Sequence, residues 1–184
     1  MSVPTRPTTN KTVIISILFS IVAYWLSNFR PTAPAFFTWV MWLFLDLLAA
    51  ESLVVLVTSL LPNFVLSLAI VAFANGLWMS VGGFLMPLTL LNPFWKYVFH
   101  YIDYQAYVFQ GMMINEFSQR TYSCGAGCHC MYQTDLAEQC MIRGTGVLHE
   151  YGYGSGNMGK WVGIMVGIIA GYRFFGWIVL LLRR

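Results

Sequence analysis

Apolar positions in this chain gather into four runs, at residues 13–26, 35–61, 64–86 and 161–182, and the polar positions collect in short turns and in one long stretch near 115–160. The last three runs are each long enough to cross a hydrocarbon core about 30 Å thick as a helix, at roughly 20 residues per crossing. The first run is the shortest, and widening it to 12–29 admits Ser27 and Asn28. It reads as a crossing or as the apolar core of a secretory signal. No small-x-small cleavage site follows cleanly before Arg30-Pro31, which favours the crossing. The pattern predicts an all-α membrane protein with four transmembrane helices near 12–29, 35–61, 64–86 and 160–182.

A further segment, near 93–117, almost qualifies as another crossing. His100, Asp103, Gln105 and Gln110 interrupt it, and its many Tyr and Phe residues suit the headgroup boundary. It is expected as a re-entrant or interfacial helix, or pair of helices, dipping into the outer leaflet. Backbone at that depth must be shielded by protein.

Composition sharpens the membrane reading. Hydrophobic residues make up 58% of the chain and charged residues 9%, against about 25% charged in an ordinary soluble domain. The net charge of +3 is small and dispersed, so no nucleic-acid partner is expected. Its distribution is more informative. Arg6 and Lys11 sit in an acid-free leader, residues 1–11, and the chain ends in Arg183-Arg184. Positive flanks tend to stay cytoplasmic. Both termini are then expected in the cytosol and the loop near 118–159 outside.

That loop holds all four cysteines, Cys124, Cys128, Cys130 and Cys140, and is rich in glycine. An even count in an outside loop reads as disulfides. Cys128 and Cys130 are too close in sequence to pair easily with each other. Two bonds linking Cys124 and Cys140 to that pair are expected, or one loop bond plus bonds to another subunit. Zinc is the competing reading, but the spacing does not match the usual finger patterns.

Three intramembrane features stand out. Asp46 and Glu51 in the second run lie about 11 and 16 residues past Ala35, and Arg173 in the last run about 13 past Lys160. At about 1.5 Å per residue these depths agree within a turn. An ion pair between Arg173 and one of the acids is expected, beside two other readings: relay of motion to an ATPase, and snorkelling of Arg173. Gly159, Gly163, Gly167 and Gly171 form a small-residue stripe that lets another helix approach closely, within one subunit or across a dimer. Arg173 lies about 200° from Gly171 around the helix, so two faces of it should be covered. Finally, His100, Asp103, Gln110 and Glu116 invite comparison with a hydrolase. No serine or cysteine nucleophile is set near them, and no catalytic residue is assigned.

The order of features carries a family resemblance. The turn at 29–37 is followed by Asp46-Leu-Leu-Ala-Ala-Glu-Ser52, by Val81-Gly-Gly-Phe-Leu-Met-Pro87, and by an aromatic segment ending in Asn115-Glu-Phe117 ahead of the cysteine loop. This resembles the C-terminal part of the transmembrane domain of a G-subfamily (White-type) ABC half-transporter, fungal members especially. The four helices would be the third to sixth of six. The resemblance implies that the third helix here lines a central cavity through Ala72, Asn75, Gly76 and Met79. It also implies that Phe84 and Leu85 form a valve toward the exit. Read without it, the same residues are ordinary packing or lipid contact, and the Gly82-Gly83 pair simply loosens a helix end.

No G-x-x-x-x-G-K-[ST] phosphate loop is present, so no cofactor is expected on this chain. ATP and Mg would bind a separate ATPase domain. The resemblance implies a membrane-embedded part of an ATP-driven exporter of hydrophobic substrates (lipid, sterol, pigment or xenobiotic) in the plasma membrane. It would be paired as a homo- or heterodimer and surrounded by membrane lipid. The alternatives are a non-transporting truncated remnant that pairs with full-length subunits, and an unrelated four-helix scaffold.

Overall fold

A computed structural model describes residues 7–87, 89–125, 127–154 and 157–182. Arg6, Arg183 and Arg184 lie outside the described residues. Seven α-helices and one short hairpin follow in order: α1 (Pro7–Leu26), α2 (Ala33–Leu60), α3 (Phe64–Val81), α4 (Pro93–Val98), α5 (Tyr104–Phe117), β1 (Thr121–Ser123), β2 (Met141–Arg143), α6 (Gly144–Glu150) and α7 (Met158–Leu182).

Local chemistry sets most of these boundaries. The side chains of Asn63, Asn92 and Asp103 accept hydrogen bonds from the amides of Val65, Phe94 and Gln105 at 3.2, 3.2 and 2.8 Å. These cap α3, α4 and α5 by satisfying amides that no helical carbonyl can reach. Proline opens α2 and α4, where its missing N–H leaves no bond unmade.

Three boundaries, in two helices, differ from the sequence reading. The first helix starts at Pro7, so the end of the leader is already helical, and it stops at Leu26. The third helix ends at Val81 instead of running to residue 86. Gly83, at φ +94°, adopts a conformation that side-chain-bearing residues rarely enter, and the helix cannot pass through it. The re-entrant segment is a pair of helices, α4 and α5.

The core is built around α2. Trp42, Leu45, Ala49, Leu53 and Val57 form its buried stripe and meet Tyr104, Tyr107 and Val108 of α5 and Met165 of α7. Gly111 makes the α2–α5 contact close: a Cβ there would lie 2.2 Å from the Trp42 ring. The buried Ser16, Ser20 and Tyr24, four residues apart, give α1 one buried face.

α2, α3 and α7 are long and apolar enough to cross a membrane, whereas the apolar part of α1, residues 11–26, is shorter. The molecule is an integral membrane protein. Its loop corrects the all-α expectation in one place, because β1 and β2 pair antiparallel with Tyr122 opposite Ile142. Within the loop that joins the two strands, disulfides link Cys124 to Cys130 and Cys128 to Cys140. These are two bonds linking Cys124 and Cys140 to the close pair, and they leave no free thiol among the described residues.

Candidate functional site

The two sides of α3 differ sharply. Val71, Ala74 and Trp78 pack against the core, while Ala72, Gly76 and Met79 are exposed. Nothing lies within 4 Å of a Cβ built on Gly76. Residues 72, 76 and 79 fall on one face at spacings of four and three, so the chain presents them together on a bare wall. Asn75 sits at the edge of that wall and is not free. It accepts hydrogen bonds from Tyr104 Oη at 2.9 Å and Gln105 Nε2 at 3.4 Å, which tie α3 to α5.

Phe84 and Leu85 lie in the turn after α3, beyond its last residue. Both are more than half exposed. The Phe84 ring meets Phe109 edge to face at 5.6 Å. The two glycines before them do more than loosen the helix end. A Cβ on Gly82 would lie 2.8 Å from Asp103 Oδ2, and one on Gly83 would lie 2.1 Å from Tyr153 Oη. The turn is therefore held between two polar side chains that admit nothing larger than hydrogen.

Both of those side chains are buried, and neither Asp103 Oδ2 nor Tyr153 Oη has a hydrogen-bond partner among the described residues. Burial pushes the Asp103 carboxyl up to about 7, opposed by the amides of Gln105 and Ala106. Burial likewise pushes the Tyr153 phenol up. His100 packs behind the turn, with Nδ1 at 3.4 Å from the Val81 carbonyl oxygen. Burial holds its pKa below the usual value. Among the described residues these groups pack on the turn and cap the start of α5, and their contacts are structural.

The Asn-Glu-Phe ending of α5 anchors a distant turn. Buried Asn115 donates to the Ala35 carbonyl at 2.9 Å. Buried Glu116 accepts from the Arg30 amide at 3.0 Å and from Tyr122 Oη at 3.4 Å, and it forms a salt bridge with Arg120. Arg120 donates in turn to the Asn28 carbonyl at 3.1 Å, and Tyr24 Oη donates to the Arg30 carbonyl at 2.6 Å. One glutamate thus joins the α1–α2 turn, the end of α5 and the hairpin. Sequence reading noted the motif and gave it no task. The available signal was a carboxylate and an arginine four residues apart at a helix end.

The expected intramembrane ion pair is absent. Arg173 Nε donates to Ser52 Oγ at 3.2 Å, and the one salt bridge among the described residues is Arg120–Glu116. Depth matched, but direction did not. Ser52 belongs to the buried face of α2, whereas Glu51 is about 100° away around the helix. Asp46 forms no salt bridge either, and its Oδ1 is buried without a hydrogen-bond partner among the described residues.

The glycine stripe is also unlike the within-subunit expectation. A Cβ at Gly159, Gly163, Gly167 or Gly171 meets nothing within 4 Å. The α7 face that does pack carries Met165, Arg173 and Gly176, the last with its Cβ position 3.8 Å from Leu56 Cα.

Residues 11–117 match the family described as ABC-2 type transporter. The chain belongs to that family. ABC transporter G family member 5 of Arabidopsis thaliana is 29% identical over 173 residues, covering 93% of this chain and 25% of that protein. G family member 23 of the same plant is 27% identical over 169 residues, covering 91% and 26%. The ZEB2-regulated ABC transporter 1 of the fungus Gibberella zeae is 32% identical over 119 residues, covering 60% of this chain and 7% of that protein. The ABC-2 membrane chain is thus similar to part of the transmembrane domain of G-family transporters, and it spans about a quarter of the length of the two plant relatives.

Proposed function

We propose that this ABC-2 chain forms one wall of the translocation path in an ATP-driven exporter of hydrophobic molecules. The observation that carries the reading is the split character of α3. One side is locked into the core, and the other offers Ala72, Gly76 and Met79 to open space. A small-residue apolar wall of this kind suits a lipid, sterol, pigment or xenobiotic and discriminates weakly among them. Phe84 and Leu85 stand past the end of that wall as the valve. In a homo- or heterodimer they meet their counterparts and close the path to water.

The topology that goes with this reading has four crossings, α1, α2, α3 and α7, with both termini in the cytosol of a plasma-membrane protein. The pair α4–α5 dips into the outer leaflet, and the disulfide-bonded loop stands outside, an oxidising setting that suits its bonds. ATP and Mg act on the ATPase domains of the assembly, whose closure drives alternating access. This chain supplies pathway residues and, purified alone, shows no nucleotide turnover above a mock preparation.

The test places residues 64–117 in a complete half-transporter of the G family. Export is expected to survive the exchange. Phe84→Ala with Leu85→Ala is then expected to uncouple ATP use from export at nearly unchanged expression. A well-expressed double variant with normal coupling would end the valve assignment. Orientation is checked separately with an impermeant thiol reagent on intact cells. Ser2→Cys should stay protected and Ser155→Cys should react.

A further inference from the structure

The cavity between α4, the turn after it, α5 and the start of α7 is unlike the others along the chain. It measures about 480 Å³ and is lined by Lys96, His100, Tyr101, Tyr107, Lys160 and Trp161, among others. Two lysines from distant parts of the sequence converge on it, and no Asp or Glu lines it. Neither lysine forms a salt bridge among the described residues. Lys160 belongs to the first turn of the 25-residue α7, where the helix dipole adds to the positive field, its own amide donating to the Asn157 carbonyl at 2.9 Å. Asp103, the acid nearest in sequence, is buried with its Oδ2 against Gly82.

The rim has two characters. On the α4 side Tyr97, Val98, Tyr101 and Ile102 are exposed, with Tyr97 stacked on Tyr101, a surface for acyl chains. On the cavity side Tyr107 Oη donates to the Tyr101 carbonyl at 3.2 Å, fixing the turn that carries His100. A site with two cationic donors in its lining, aromatic walls and an apolar apron is complementary to a phosphodiester that carries two hydrocarbon chains. A free anion has no use for the apron, and an apolar substrate has none for the lysines.

We propose that this cavity binds the headgroup phosphate of a glycerophospholipid, with Lys96 and Lys160 as its cationic donors and the exposed face of α4 as the bed for its acyl chains. The proposal rests on the outer-leaflet placement of α4–α5 given above. It concerns a lipid that seats the re-entrant pair, at a site apart from the α3 wall.

The test uses the full chain, purified in an uncharged detergent, and native mass spectrometry with three probes: dioleoyl phosphatidylcholine, dioleoyl phosphatidylglycerol and dioleoylglycerol. Because the readout is made in detergent, it does not depend on membrane orientation or on transport. Both phospholipids are expected to bind about tenfold or more tightly than the diacylglycerol, through two charge-assisted contacts. Lys96→Ala with Lys160→Ala should erase that preference, and the double Lys→Arg chain should keep it. Disulfide mapping and circular dichroism report whether each variant is folded. If the double alanine chain does not fold, Lys160→Gln alone, on an exposed side chain, should lower the preference about threefold. Equal binding of diacylglycerol would overturn the proposal. So would an unchanged preference in a folded lysine-free variant, or full displacement of phospholipid by millimolar inorganic phosphate, which would mark a site for the anion alone.

Discussion

The cysteine-bearing end of the molecule and the bare faces of α3 and α7 use the same small residue for opposite purposes. Where β2 runs into α6, glycines are pressed against backbone: a Cβ on Gly144 would lie 2.0 Å from the Phe117 carbonyl oxygen and one on Gly146 2.7 Å from the Gln133 carbonyl oxygen, whereas Gly125 and Gly127 between the cysteines meet nothing within 4 Å. On the bare faces Gly76, Gly163 and Gly167 meet nothing within 4 Å. The first set lets backbone approach backbone inside one chain. The second leaves room for something this chain does not contain. Polar groups divide the same way. Glu116 and Asn115 hold the α1–α2 turn at the cysteine end, while long stretches of the helices carry exposed Phe, Leu, Ile and Val. At the cysteine end hydrogen bonds and disulfides add to a small hydrophobic cluster around Leu148 and Tyr153, while the apolar faces of the long helices stay uncovered by this chain.

The sharpest way to break this comparison is to add a single methyl group at the cysteine end. Gly144→Ala has a backbone carbonyl as its obstacle, which cannot rotate away. We expect a loss above about 4 kcal/mol, in the exceptional class for a point change. Proteolysis of the 118–154 region and thermal unfolding in detergent would register it. A folded variant of unchanged protease resistance would show that the hairpin is not seated on α5.

Removing the anchor comes next. Glu116→Ala leaves the Arg30 amide without its acceptor and Arg120 without its charge partner, the Asn28 carbonyl remaining to it. Breaking a buried pair costs roughly 3–5 kcal/mol, and the part-exposure of Arg120 places this variant near the lower end. Glu116→Gln retains an acceptor for the amide and should lose less. If the two variants unfold at the same temperature, charge is the whole of the contribution. The paired change Cys128→Ser with Cys140→Ser should cost about 2–4 kcal/mol by freeing the loop in the unfolded chain, with the loss confined to that region.

Much of the fold was legible because it depends on composition and spacing. The apolar runs located α2, α3 and α7 within a few residues, and the even cysteine count with its close central pair pointed to loop disulfides without deciding which cysteine pairs with which. What failed depends on azimuth. Asp46, Glu51 and Arg173 matched in depth, but sequence distance from a helix end does not say which way a side chain faces, and Ser52 holds the direction toward α7. The stripe on α7 was equally readable as a pattern and unreadable as a partner. Phe84 was placed inside a helix because apolar letters continued past Val81. Only the left-handed Gly83, wedged by Tyr153, shows why the helix stops there. The task of Glu116 was hidden for a related reason: its partner is an amide 86 residues earlier in the chain.

A subtler difference between the regions is its response to pH. Asp103 carries a carboxyl raised to about 7 in the folded chain, from 3.8 unfolded. The folded form therefore holds the proton more tightly, and stability falls as pH rises from about 4 to 7, by up to about 4 kcal/mol if the shift is fully expressed. His100, with its pKa lowered by burial, contributes the opposite slope below about 6.5. The informative quantity is then the difference between the wild-type chain and Asp103→Asn, because asparagine keeps the cap on α5 and cannot ionise. Melting curves between pH 4 and 8 should show the wild type losing ground to the variant as pH rises. Parallel curves would mean that Asp103 is solvated in the folded protein.

The smallest expected effect belongs to the glycine stripe. Gly167→Ala adds a methyl group where nothing stands within 4 Å, and alanine is the better helix former. A monomeric chain should be unchanged or more stable by about 0.5–1 kcal/mol. A loss of more than that would mean the stripe is packed inside the chain after all. Gly167→Leu separates the remaining readings. If another helix lies against the stripe, the larger side chain holds the backbones apart and association weakens, since close approach is what small residues permit between membrane helices. If lipid lies there, hydrocarbon yields around the new side chain and association is unaltered. Crosslinking of the two variants at equal expression, beside the monomer melting curves, decides between a helix partner and lipid, because only association distinguishes them and folding does not.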